Sequence, residues 1–170
     1  MASRSRRVAT ASLFGVMIFL VKGFLPSPTA DFLVVFEALL VGLSFLILGR
    51  GGATYVEMVN GLLQTPVKLS LAPFSLLLAL FFGVQVDAYA SLLRVRNSEA
   101  KAGRLVATLA LSSATTGVVA YYATAVVEKL VPSDLSIALT ILIFGVVSGA
   151  AAGYLAARIW NGNLRSRFQS

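Results

Sequence analysis

The Lys and Arg residues of this chain fall into two very unequal groups when the apolar stretches between them are treated as membrane crossings. A helix crosses the hydrocarbon core of a bilayer with roughly 20 apolar residues, and shorter helices are tolerated. With six crossings, 11 of the 14 Lys and Arg residues lie on the side of both termini, and only Lys22, Lys68 and Lys129 lie on the other. Because Lys and Arg concentrate in cytoplasmic loops, this asymmetry places both termini in the cytoplasm. The sequence therefore predicts an all-α bundle of six transmembrane helices, at about 8–24, 32–49, 52–65, 70–93, 103–127 and 135–160.

The composition supports the same class of protein. The chain is 58% apolar and 12% charged, whereas soluble domains carry about 25% charged residues. Its 170 residues predict one transmembrane domain, 1–170, without a separate soluble domain. The net charge of +7 is spread over short loops, which favours anionic lipid head groups over nucleic acid as its partner. We expect a multi-pass protein of the cell (plasma) membrane.

The N-terminus also has features of a signal peptide. A basic start, Met1–Arg7, precedes an apolar stretch, and Ala30 is a conceivable cleavage site. Removal of this segment would leave an odd number of crossings and weaken the charge asymmetry. A retained first helix is therefore the preferred interpretation.

Small residues recur every four positions on three of the predicted helices. Helices in membranes associate through close packing of such residues, because lipid tails are as apolar as leucine. On the fifth and last helices the pattern predicts packing within the bundle; the strips contain Ala110, Ala114, Gly145, Gly149, Gly153 and Ala157. The short strip on the first helix, Ala11 and Gly15, is also suited to docking another protein, since a terminal helix can present it outward.

Polar residues within the apolar stretches are candidates for function, because they are costly inside a bilayer. Glu57, Asn60 and Gln64 are spaced i, i+3 and i+7, so they share one face of the short third helix. That face has to meet protein or a water-filled cavity rather than lipid. Glu37 lies at a similar depth on the second helix. Asp87 is expected to contact Arg94 or a neighbouring loop instead.

Two tyrosines, Tyr121 and Tyr122, lie in the outer half of the fifth helix. With the four polar residues they predict an outward-facing pocket for a flat, polar ring compound, including a cationic one. The alternative for the tyrosines is the aromatic belt at the membrane interface. The alternative for Glu37 and Glu57 is an ion pair or hydrogen bond that serves stability.

Enzyme signatures are absent from the sequence. The chain has no Cys and no His, which removes thiolate catalysis, haem ligation and most zinc sites. It also has no nucleotide-binding glycine loop followed by Lys. We expect no catalytic residues, no metal and no cofactor.

Four stretches carry a resemblance to a known family. They are the small-xxx-small strip 11–15, the Pro-containing stretch 23–28, the run GATYVEMVNGLL at 52–63, and GVQVD at 83–87. Together they resemble the substrate-binding S-component of energy-coupling factor (ECF) vitamin transporters of the hydroxymethylpyrimidine/thiamine type. The strip departs from the family's Ala-x-x-x-Ala motif, since Gly15 stands at the second Ala.

The resemblance implies a six-helix subunit that binds a water-soluble vitamin or precursor from outside. It also implies partners: a transmembrane coupling protein, which the strip at Ala11 and Gly15 would meet, and two ATPases that drive uptake. An alternative function is a structural or accessory subunit of a larger membrane complex. A third is an ion-coupled small transporter that uses Glu37 and Glu57 as relays.

Overall fold

The computed structural model describes residues 3–24, 33–66, 72–98, 100–127 and 133–169, and these residues form helices and no strand. The all-α class predicted from the sequence is confirmed. Six long helices are followed by a short seventh one at the C-terminus. Their bounds are α1 Arg4–Phe24, α2 Val34–Leu48, α3 Gly52–Gln64, α4 Ala72–Leu92, α5 Ala102–Tyr122, α6 Leu135–Ile159 and α7 Arg165–Gln169. Wider π-helical turns follow α5 and α6, at Ala123–Val127 and Trp160–Leu164.

Within the described residues, three helical stretches are long and apolar enough to cross a membrane: Phe74–Leu92, Ala102–Ala125 and Leu135–Phe168. The apolar helix α2 has 15 residues, about 22 Å at 1.5 Å per residue, which is short for a bilayer core of about 30 Å. Helix α1 begins with three arginines in its first four residues, and α3 has only 13 residues. The chain is thus a membrane protein, whereas six crossings and the side of the termini stay predictions.

Helices α5 and α6 are packed backbone to backbone through the glycine strip. A Cβ placed on Gly145 would lie 2.8 Å from Cα of Ala114, and one on Gly153 would lie 2.6 Å from Cα of Val106. Gly149 lies between them, directly against the backbone of Leu109. Because any side chain on these glycines would meet main-chain atoms, only glycine allows this approach. Packing within the bundle, as the sequence predicted for this strip, is confirmed.

Helices α3 and α4 are held together at one end by a side chain that caps a helix. The carboxylate of Asp87 on α4 accepts hydrogen bonds from the backbone N–H of Thr54 (2.9 Å) and from its hydroxyl (2.6 Å). The backbone N–H of Ala53 also donates to this carboxylate (3.4 Å). The first N–H groups of a helix have no partner within the helix, so Asp87 satisfies two of them and places negative charge at the positive end of α3. The contact is with α3, and Asp87 forms no ion pair with Arg94.

The two ends of the chain meet at one end of the bundle. A guanidinium N–H of Arg7 in α1 donates to the backbone oxygen of Phe168 in α7 (2.6 Å). The ring of Phe168 stacks on Trp160, whose indole N–H donates to the backbone oxygen of Asn97 (2.9 Å). The α4–α5 connection and both terminal helices therefore lie together, which we call the basic end of the bundle.

At the opposite end, α6 begins with a side-chain cap. The backbone N–H of Ser136 donates to the carboxylate of Asp134 (2.8 Å), and this bond lowers the pKa of that carboxyl. A lowered pKa means that the cap stabilises the fold at neutral pH and that this stabilisation is lost as the pH falls through the lowered value.

Candidate functional site

A cavity of about 330 Å³ opens between the helices, toward the end of α1 that carries Lys22. Its wall combines charged, amide and hydroxyl groups with apolar side chains from five helices. Within the described residues it is lined by Lys22, Val34, Glu37, Asn60, Gln64, Ser75, Leu78, Ala79, Phe82, Ser113, Thr116, Gly117 and Ala120. Its volume is at the lower end of the range of about 300–1,000 Å³ for small-molecule pockets.

The polar face of α3 is a chain of hydrogen bonds. The side-chain amide of Gln64 donates to the amide oxygen of Asn60 (2.6 Å), and the amide nitrogen of Asn60 donates to the carboxylate of Glu57 (2.9 Å). All three residues are buried. The spacing i, i+3 and i+7 therefore gives one continuous network, in which Asn60 and Gln64 reach the cavity and Glu57 lies behind Asn60.

An ion pair joins α1 to α2 at the cavity wall. The ammonium of Lys22 lies 2.6 Å from a carboxylate oxygen of Glu37, and the two side chains are 30% and 10% exposed. The carboxyl of Glu37 also interacts electrostatically with that of Glu57. One cation and two carboxyl groups thus form a single cluster, connected through Asn60 to the rest of the α3 network.

Only one of the two carboxyl oxygens of Glu57 accepts a hydrogen bond from an amide. Its Oε2 accepts from Asn60, whereas no N–H group of the described residues donates to its buried Oε1, and the neighbouring polar group is the carboxyl of Glu37. Leaving a buried polar atom without a partner costs about 1–3 kcal/mol, and more for a charged group. The same holds for the hydroxyl of Ser113, which lines the cavity on α5, so within the described residues unmet hydrogen-bonding capacity is found on two sides of this space.

The sequence predicted six residues in the pocket. In the structure, three of them line the cavity and three do not. Glu37, Asn60 and Gln64 line the cavity, whereas Glu57 does not line it and is connected to it through Asn60 and Glu37. The two tyrosines do not line it. The hydroxyl of Tyr121 exchanges two hydrogen bonds with the backbone of Asp134, and Tyr122 is 61% exposed on the bundle surface.

Two contributions to the cavity were missed from the sequence. Lys22 was placed only on the outer side, near the end of the first predicted helix, and α4 was assigned no ligand contact. The signal for Lys22 was its position near the end of the first helix, with Glu37 near the start of the next. A helical hairpin brings such positions together. The α4 residues Ser75 and Phe82 gave no comparable signal, because serine and phenylalanine are ordinary in membrane helices.

The wall can recognise a molecule that carries both hydrogen-bond donors and acceptors. Lys22 supplies a cation, Glu37 an anion, and Gln64 an amide, and Thr116 on α5 adds a hydroxyl to the wall. Phe82 adds an aromatic surface. A few polar groups within a largely apolar wall are typical of small-molecule sites.

The strip predicted to dock a partner is occupied by the chain itself. Ala11 is fully buried, and a Cβ on Gly15 would lie 2.8 Å from the side chain of Val59 and 2.9 Å from the backbone oxygen of Val56. Both contacts belong to α3, and Ser12 beside the strip also bonds to the hydroxyl of Tyr55 on α3 (2.7 Å). The expectation of an outward-facing strip is therefore corrected, because close approach of α1 and α3 is what the small residues allow.

We expect Gly15→Leu to lower the free energy of unfolding by about 2 kcal/mol, because the new side chain meets Val59 and the backbone of α3. Thermal unfolding in detergent measures the change. Ala9→Leu is the matched control, since Ala9 is an exposed small residue on the same helix. Equal stability of the Gly15 variant and wild type would contradict close packing of the strip against α3 and would favour docking of another protein.

Comparisons of the chain with models of protein families, with curated proteins and with solved structures gave no match. The resemblance to ECF S-components accordingly stays a prediction. The proposed function depends on the geometry of the cavity.

Proposed function

We propose that this protein binds a small, polar, water-soluble molecule in the cavity between α1 and α5 and serves as the substrate-binding membrane subunit for its uptake. The observation that supports the proposal is the polar wall of a cavity inside an apolar bundle. Glu37, Asn60 and Gln64 are each at most 7% exposed, and yet all three line the same space. Desolvating such groups is unfavourable unless they meet partners of matching polarity.

The charges favour a ligand with a hydrogen-bonding ring rather than a plain hydrocarbon. Glu37 can pair with a cationic or N–H-bearing group, and the amides can bond a ring edge. Phe82 provides a surface for stacking. The resemblance suggests a vitamin or vitamin precursor of the hydroxymethylpyrimidine/thiamine type. A volume of about 330 Å³ suits a compound of that size.

Uptake through such a subunit depends on partners. No catalytic arrangement is proposed for this chain, so the energy for transport is expected from a transmembrane coupling protein and ATPase subunits, as the resemblance implies. The location proposed is the plasma membrane, with several crossings and with the cavity open to the outside. No nucleic-acid partner is proposed.

An alternative is a structural or accessory subunit of a larger membrane complex. One observation favours it: the α3 network is bonded internally, with Gln64 to Asn60 and Asn60 to Glu57, and Lys22 already neutralises Glu37. In that case the polar residues stabilise the contact between helices, and no small molecule is bound.

A larger side chain inside the cavity distinguishes the substrate-binding subunit from the structural subunit, because only the former needs the space for a ligand. Ala120 lines the cavity on α5, whereas its neighbour Val119 is 41% exposed and does not line it. We expect Ala120→Phe to weaken ligand binding by at least about tenfold, which corresponds to about 1.4 kcal/mol. Val119→Phe adds the same ring one position away and should leave binding unchanged. Calorimetry on detergent-purified protein, with thiamine and hydroxymethylpyrimidine as the first probes and a wider vitamin panel after them, provides the measurement.

Failure of every probe to bind wild type, together with native mass spectra that retain no small molecule, would favour the structural subunit. Binding that is equally strong in the Ala120 and Val119 variants would place the ligand elsewhere in the protein.

A further inference from the structure

Four basic side chains surround a second space at the basic end of the bundle. Arg94, Arg96, Lys101 and Arg104 line a cavity of about 380 Å³ with Ser98, where α4 passes to α5. We call these four residues the basic cluster. All four are exposed, so the cavity is open to solvent or to lipid head groups. It is separate from the cavity described above and shares no residue with it.

The basic cluster has no counter-charge within the part of the chain that the structure describes. None of its four side chains forms an ion pair there. Glu99 belongs to the same connection and lies outside the described residues. Even when it is counted, residues 94–104 contain four basic residues and one acidic one, a net charge of +3. Like charges held this close repel one another, so an anion between them is favourable.

Two features of the backbone at Arg94 bear on the arrangement of the cluster. Arg94 has a φ of 52°, a left-handed conformation that usually favours glycine at the end of a helix. Its backbone oxygen accepts a hydrogen bond from a guanidinium N–H of Arg104 (3.0 Å), which holds the guanidinium of Arg104 next to the backbone of Arg94. A long charged side chain kept at a position that favours glycine indicates a use for the side chain.

The position of the cluster between two candidate membrane helices favours lipid phosphates as its partner. Helices α4 and α5 are both long and apolar enough to cross a membrane, and the cluster connects the end of one to the start of the other. Leu92, immediately before it, is 74% exposed. An apolar side chain facing outward beside exposed arginines matches the boundary between acyl chains and head groups.

We propose that the basic cluster is a binding site for the phosphate head group of an anionic phospholipid. The guanidinium groups of Arg94 and Arg104 would receive the phosphate oxygens in the paired geometry that arginine favours, with Arg96 and Lys101 adding charge. Leu92 would contact the acyl chain. Free phosphate has the same oxygen chemistry, but the apolar neighbour and the position between two membrane helices favour the lipid.

The test uses the full chain in vesicles of phosphatidylcholine that contain a minor fraction of phosphatidylglycerol. Native mass spectrometry after release into detergent counts the lipids that remain bound. We expect wild type to retain phosphatidylglycerol in preference to phosphatidylcholine, and Arg96→Gln with Lys101→Gln to reduce that preference by about tenfold or more. These two side chains line the cavity, and neither donates a hydrogen bond to another residue that the structure describes.

A matched control removes the same charge elsewhere at the same end. Arg6 and Arg165 are exposed and do not line this cavity, so Arg6→Gln with Arg165→Gln should keep the preference. The charge-conserving pair Arg96→Lys and Lys101→Arg should keep it as well. An equal loss in the Arg6 and Arg165 variant would overturn the site in favour of diffuse surface charge. Release of bound phosphatidylglycerol by inorganic phosphate alone would instead assign the cluster to a soluble anion.

Discussion

Gly149→Leu should force α5 and α6 apart and lower the free energy of unfolding by about 3 kcal/mol or more. Gly149 rests directly on the backbone of Leu109, and a Cβ there would also lie 2.7 Å from Cα of Ala110. A flexible side chain could move aside, but main-chain atoms of a neighbouring helix cannot do so without moving the helix. The loss should appear in thermal unfolding of the detergent-solubilised protein.

Gly103→Leu is the control for this substitution. It makes the same exchange at the start of α5, where no atom lies within 4 Å of the added Cβ. Its melting temperature should match wild type or exceed it, because leucine favours a helix more than glycine does. If both variants melt at the same temperature, the glycine strip does not control the approach of the two helices.

Asn60→Leu should reduce both stability and ligand affinity. Asn60 is fully buried; it donates to the carboxylate of Glu57 and accepts from Gln64. The leucine would leave neither carboxyl oxygen of Glu57 with an N–H donor among the described residues, at a cost of about 3 kcal/mol. Because Asn60 also lines the cavity, we expect affinity to fall by about a hundredfold, equivalent to about 2.8 kcal/mol.

Leu62→Met is the matched control, since Leu62 is on the same helix and is 56% exposed. Calorimetric affinity and thermal unfolding should both be measured for the two variants. Unchanged affinity in Asn60→Leu, with a lower melting temperature, would assign the α3 network to helix packing and favour the structural-subunit alternative.

Much of the architecture follows from sequence patterns that act locally. The bounds of the helices follow from apolar stretches ended by charges, and the shared face of Glu57, Asn60 and Gln64 follows from helical spacing alone. The same holds for the α6 strip, since glycines at every fourth position make a smooth face wherever the helix lies.

Features that depend on which helices meet could not be predicted in this way. The strip at Ala11 and Gly15 indicates a close approach of two backbones, but not that α3 is the partner. The hydrogen bonds between Tyr121 and Asp134 likewise depend on how separate elements are rotated against each other. Such rotations are set by the whole packing, which single-helix spacing does not contain.

The placement of the glycines also determines how the binding cavity can change its width. Helices α5 and α6 are joined backbone to backbone, and α3 is joined to α4 through Gly83, whose Cβ would lie 2.8 Å from Cα of Thr54, and through the Asp87 cap. Each pair should therefore move as one stiff body. The cavity has walls on both bodies as well as on α1 and α2, so movement of one pair against the other along the seam between α4 and α5 would change its width. There the side-chain oxygen of Gln85 on α4 accepts hydrogen bonds from two hydroxyls of α5, those of Thr115 (2.5 Å) and Thr116 (3.3 Å), so these bonds oppose the widening.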